Sequence, residues 1–179
     1  GEQRYADEAA RDAALVTAYE RVVSEQPDSS AAAWARLSLG RVKLDAGEFA
    51  DARALFEAAI EGAEGGDLTL RAAAMEGVAF GHGGGGHWDV AATQYERLDG
   101  LGGVYEQSAA FHQARILLAK GERETAIERL QALIEALRAE DAPDLTYVRD
   151  QAELTLMSLD ASLVQRTAAP AGLDSLPPE

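Results

Sequence analysis

Two histidines and a carboxylate crowd one short stretch of the chain, Gly81 His82 Gly83 Gly84 Gly85 Gly86 His87 Trp88 Asp89. Imidazoles and carboxylates are the donors a divalent metal takes, but a glycine run does not preorganise ligands and no third histidine lies nearby in sequence. As a phosphate cradle the stretch lacks a lysine, a serine or threonine, and a preceding strand. Elsewhere Asp and Glu fall at helix-surface positions beside Arg or Lys, as in Glu122 Arg123 Glu124, which is the pattern of a solvated face and not of two acids held across a cleft. No nucleophile elbow, Walker loop, His-Glu-x-x-His or EF-hand loop is present. With no cysteine, thiolate metal sites, thiol redox chemistry and disulfides are excluded. The expectation is a non-catalytic protein without catalytic residues, cofactor or metal.

The elements that would position such residues are helices. Alanine supplies about a fifth of the 179 residues, β-branched residues are sparse, and proline is nearly confined to junctions. No strand is expected. Apolar positions recur at helical spacing from about Tyr5 to Gln26, with Leu15, Val16, Tyr19, Val22 and Val23 on one face, and Pro27 Asp28 Ser29 ends that helix and caps the next. Breakers then arrive in rhythm around Gly47, Gly65, Gly81–His87, Gly100–Gly103, Gly121 and residues 140–144, too closely spaced for anything but antiparallel neighbours. The reading is all-α: a single domain over 3–161, a short α-solenoid of about three helical hairpins (about 30–63, 67–99 and 104–139) between flanking helices (about 3–26 and 144–161), followed by a disordered proline-containing tail at 162–179. The four glycines at 83–86 cost about 3–4 kcal/mol relative to alanine in a helix. The helix before them is therefore expected to lose its last turn and leave a flexible notch.

Aligning Gly47, Gly86 and Gly121 exposes an internal repeat. A small residue precedes each glycine by seven positions (Gly40, Ala79, Ala114). An alanine follows by five (Ala52, Ala91, Ala126) and a large apolar residue by nine (Phe56, Tyr95, Leu130). Antiparallel helices approach closely only where both present small side chains, and large residues one turn away fill the space to the next pair.

This grammar resembles the tetratricopeptide repeat, whose characteristic small, aromatic and alanine positions are held by Gly40, Gly47, Phe49, Ala52, Phe56 and Ala59, the strongest copy. The family's early tryptophan is replaced by Arg36, Met75 and Ala110, and its closing proline is absent from all three copies. Within that superfamily, residues 31–136 resemble the YfgM-like bacterial envelope proteins, an ancillary translocon-associated family. The residues that carry this likeness are Ala31 to Ala59, Thr69 Leu70 Arg71, and Ala114 to Glu122. The likeness implies a soluble domain that is periplasmic or envelope-associated if an anchor precedes residue 1, and cytoplasmic otherwise.

The family's concave face is formed by the first helix of each pair. Projected onto this sequence, it holds Trp34, Leu37, Ser38 and Arg41 in the first pair, Glu76 and Phe80 in the second, and Phe111, His112 and Arg115 in the third. Rings beside arginines suit an extended peptide. With 31 acidic against 16 basic residues, a net charge of −15 excludes nucleic-acid partners and disfavours anionic bilayers. No run of apolar residues is long enough for direct membrane insertion. The expected function is a protein-interaction scaffold that grips another protein or peptide. Its alternative is a structural subunit self-associating through its terminal helices, as a homo-oligomer.

Overall fold

The computed structural model describes residues 6–63, 66–139 and 144–160; the tail expected at 162–179 lies outside these. Among the described residues there are eight α-helices and no strand. In chain order they are α1 (Glu8–Glu25), α2 (Ser30–Asp45), α3 (Phe49–Gly62), α4 (Leu68–Gly84), α5 (Trp88–Asp99), α6 (Val104–Lys120), α7 (Arg123–Arg138) and α8 (Thr146–Leu159). The all-helical expectation holds. By contact the chain groups into two compact units, residues 1–101 and 102–179, where the sequence reading drew one range; the division falls within the Gly100–Gly103 breaker.

Local chemistry starts and stops these helices. Asp7, Ser29 and Asp67 each accept a hydrogen bond from the backbone N–H three residues on, at 2.8, 3.1 and 3.0 Å, and so cap α1, α2 and α4. The three glycines that anchor the repeat make the same turn three times over. Gly47, Gly86 and Gly121 take φ of 75, 78 and 84°, the left-handed region that costs only glycine nothing. In each case the next residue's N–H reaches back to a carbonyl of the finished helix: Glu48 to Lys43, His87 to His82, Glu122 to Leu117, at 2.9, 2.9 and 2.8 Å. The repeat seen in the letters is thus also a repeat of backbone geometry.

In the first unit, α2 packs on α3, α3 on α4 and α4 on α5, while α2 and α4 also lie side by side and α1 rests against α2. Its core holds Leu37, Phe56, Leu70 and Val78 around Ala33, Ala52, Ala59 and Ala74. In the second unit, α6, α7 and α8 enclose Phe111, Leu130, Leu133, Ile134, Leu137 and Leu156. The small, alanine and large apolar positions in step with those exposed glycines are all buried, from Gly40, Ala79 and Ala114 to Phe56, Tyr95 and Leu130.

The expected fraying of α4 does not occur. Helix α4 runs through Gly83 and Gly84, ending at the same distance from Gly86 as α2 does from Gly47. The glycines are filled by neighbours: a Cβ at Gly77 would stand 2.6 Å from the Phe56 ring, one at Gly81 2.6 Å from Arg53 Cγ, and one at Gly84 would collide with the Phe49 ring. Phe49, Arg53 and Phe56 are the seven-residue ridge of α3, and Gly84, Gly81 and Gly77 are the matching groove of antiparallel α4. Arg53 Nη1 also donates to the Gly81 carbonyl at 3.1 Å. Packing and this bond offset the propensity cost that a helix alone would bear.

Candidate functional site

Helix α4 is enclosed on most of its circumference, and its central open row is Ala73, Glu76, Phe80 and Gly83, spaced three, four and three. On α2 the corresponding row is Ala31, Trp34, Ser38, Arg41 and Asp45. Because α2 and α4 lie side by side within the first unit, these rows border one another.

Trp34 is the large ring on this surface, 42% exposed. Its indole Nε1 donates to Asp67 Oδ2 at 3.1 Å, while Asp67 Oδ1 accepts from Leu70 N at 3.0 Å. One carboxylate therefore caps α4 and fixes the Trp34 ring, so the exposed face of the indole is held ready and not free to collapse. Arg41, about two helical turns along the row, is exposed and makes no ion pair among the described residues; neither does Asp45. Phe80 stands half-buried with its ring edge-on to Tyr95 of α5, centroids 6.3 Å apart. Glu76 is half-buried beside it on the row.

Two of the residues projected onto this face belong elsewhere. Leu37 is 1% exposed and sits in the core of the first unit, and Phe111 is 7% exposed and sits in that of the second. They share one repeat position, and both are turned inward because a large apolar side chain at the edge of the open row gains more from the neighbouring helix than from water. The open position is the following one, Ser38 on α2 and His112 on α6.

In the second unit, Arg115 lies on the open side of α6 but folds back on its own helix. Its guanidinium carbon is 5.9 Å from the Phe111 ring centre, and Nη1 donates to His112 Nδ1 at 3.4 Å. The Phe111 and His112 rings themselves are 5.2 Å apart. Trp34, Arg41, Glu76 and Phe80 are thus brought together on one unit, while His112 and Arg115 form a separate, self-engaged cluster on the other.

Beside this face, α1 contributes a wall that the sequence projection omitted. A groove of about 440 Å³ runs between α1 and α2, lined by Asp12, Leu15, Val16 and Tyr19 on one side and Ser38, Arg41, Val42 and Asp45 on the other. The helical period of α1 could have pointed to its apolar lining, but no local signal links Asp67 to Trp34, which is 33 residues away.

The histidine-rich turn is exposed over residues 84–87, with His82 half-buried behind it. The His82 and His87 rings stand edge-on at 6.2 Å, and among the described residues no group of three or more His, Asp or Glu gathers in a metal-holding arrangement. Partial burial lowers the His82 pKa below the usual imidazole value, and the charges of Arg53 and His87 add to this against an opposing contribution from Glu57.

The family model of the tetratricopeptide repeat matches residues 108–136, which are most of α6 and α7. It covers the third hairpin, whereas the sequence reading gave most weight to the first. No curated protein and no solved structure matches the chain. Repeats of this kind generally mediate protein–protein interaction, a non-catalytic role. No helix among the described residues is long and apolar enough to cross a membrane.

Proposed function

We propose that the chain is a protein-interaction scaffold whose first unit grips an extended segment of a partner polypeptide along the open rows of α2 and α4. The observation that carries this reading is Trp34. A tryptophan ring left 42% exposed on a rigid helix, with its N–H already bonded to Asp67, offers a fixed apolar face at little further entropic cost to a ligand. Arg41 on the same row supplies donors for backbone carbonyls or a carboxylate. Replacing Trp34 and Arg41 together by alanine should weaken binding of a co-purifying partner about 30-fold, on the order of 2 kcal/mol, the size expected of hot-spot side chains. Both side chains are exposed, so circular dichroism should be unchanged. Full affinity in a folded double variant would remove this face from consideration.

The likeness of residues 31–136 to YfgM-like proteins supports an envelope setting, with the chain as the soluble part of an anchored protein. An apolar stretch of about 20 residues encoded just before Gly1 would be the anchor.

Self-association is a second reading, favoured by α8. Tyr147, Leu154 and Met157 fall on one face of that helix and are 75, 57 and 50% exposed. If that face joins two copies, sedimentation should show concentration-dependent association that Leu154→Glu with Met157→Glu abolishes. A constant monomer would dispose of it.

A further inference from the structure

Helix α1 is unusual in this fold: it runs for 18 residues and buries none of them. In proteins most helical stability comes from packing of one face, and α1 packs against α2. That contact leaves the 440 Å³ groove open, with Leu15 and Val42 exposed at 42 and 43%. Since the link over residues 26–29 is short, α1 and α2 run antiparallel, and the lining falls into steps. The antiparallel course sets Asp12 and Asp45 toward one end of the lining, Leu15, Val16, Arg41 and Val42 in its middle, and Tyr19 and Ser38 toward the other end. Asp12 is held by Arg11 at 2.9 Å, whereas Asp45 has no ion pair among the described residues.

We infer that this groove seats one apolar side chain of a basic polypeptide segment, with a neighbouring lysine or arginine of that segment paired to Asp45 and Asp12. The inference rests on the reading of the first unit as a polypeptide-binding unit and adds the chemistry of the partner. Charge complementarity selects the occupant. Beside the Arg11–Asp12 pair, Asp45 is left as a carboxylate without an ion pair among the described residues, on a chain of net charge −15. A second copy brings no basic excess to this groove, and an acidic peptide would be repelled from it. The apolar middle requires a side chain that gains from burial, which separates a seated segment from a polycation merely attracted to the surface.

The test uses a labelled oligolysine with one central leucine, read by fluorescence anisotropy against the full chain. Its affinity should exceed about tenfold that of the same peptide with serine for leucine. An equal-length oligoglutamate with the same leucine should not bind. Val42→Asp adds a negative charge at an exposed position and fills the groove with a carboxylate. General attraction would make it bind the peptide more tightly; seating in the groove makes it bind about tenfold more weakly. Asp12→Asn with Asp45→Asn should weaken binding about tenfold, while the same loss of charge at exposed Glu124 and Glu128, each changed to Gln, should have little effect. Tighter or unchanged binding by Val42→Asp, or equal affinity for the leucine and serine peptides, overturns the inference. Trp34→Ala is measured alongside, because Trp34 lies outside the groove lining. If it alone lowers affinity, the groove is excluded and the binding face on α2 and α4 stands.

Discussion

Truncating Phe56 to alanine should cost about 3–5 kcal/mol of stability, a large part of what holds a domain of this size together. Phe56 is 1% exposed and is the large residue at the centre of the first unit's repeat. Its ring fills the space that Gly40 of α2 and Gly77 of α4 leave open: a Cβ at either glycine would come within 2.6 Å of ring atom Cε1. The ring thus spans three helices. No neighbour with a longer side chain at positions 40 or 77 stands ready to collapse into the cavity, so the penalty should fall near the top of the range for a buried phenylalanine. Chemical denaturation of wild type and variant, with an unchanged dependence on denaturant, would measure it. A loss below about 1 kcal/mol would mean that the ring is not clamped as described.

The reciprocal substitution, Gly77→Val, should destabilise by about 3 kcal/mol although valine is the better helix former. Its Cβ alone would stand 2.6–2.7 Å from three atoms of the Phe56 ring, which is enclosed and cannot swing into solvent. Either the ring leaves its rotamer or α4 is levered off α3. The two predictions are coupled: in the Phe56→Ala background the added valine should occupy vacated space, and the double variant should be more stable than the sum of the single losses by about 1–3 kcal/mol. Strict additivity in that cycle would contradict the ring-in-glycine packing.

The same residues explain what the letters reveal and what they conceal. Gly47, Gly86 and Gly121 are legible because a helix stop needing positive φ admits few residues, and the small and large positions in step with them are legible because close helix packing admits few sizes. The Gly81–Gly84 segment is misleading because helix propensity charges each glycine its cost in isolation. It is silent about Phe49 and Arg53, which lie about 30 residues upstream and occupy the space the missing side chains would need.

On the candidate face, period alone places Trp34, Arg41 and Arg115 correctly on the open side. It fails at Leu37 and Phe111, which lie one helical step from the open row and are drawn inward by their apolar side chains. Asp67 could not be foreseen as the holder of Trp34, and the folding back of Arg115 onto Phe111 and His112 depends on rotamers. The contribution of α1 was legible as an apolar stripe. Its incomplete coverage emerges only when the neighbouring helix is in place.

In the proposed function, the open row of α2 is the surface on which the first unit carries a partner. Placing a photo-crosslinking amino acid at Ser38, in the middle of that row, and separately at Glu57, on the exposed side of α3, tests it most directly. On irradiation of the protein with its co-purifying partner, a covalent adduct should form from position 38 and not from position 57. An adduct from position 57 with none from position 38, in proteins of wild-type helicity, would contradict the assignment.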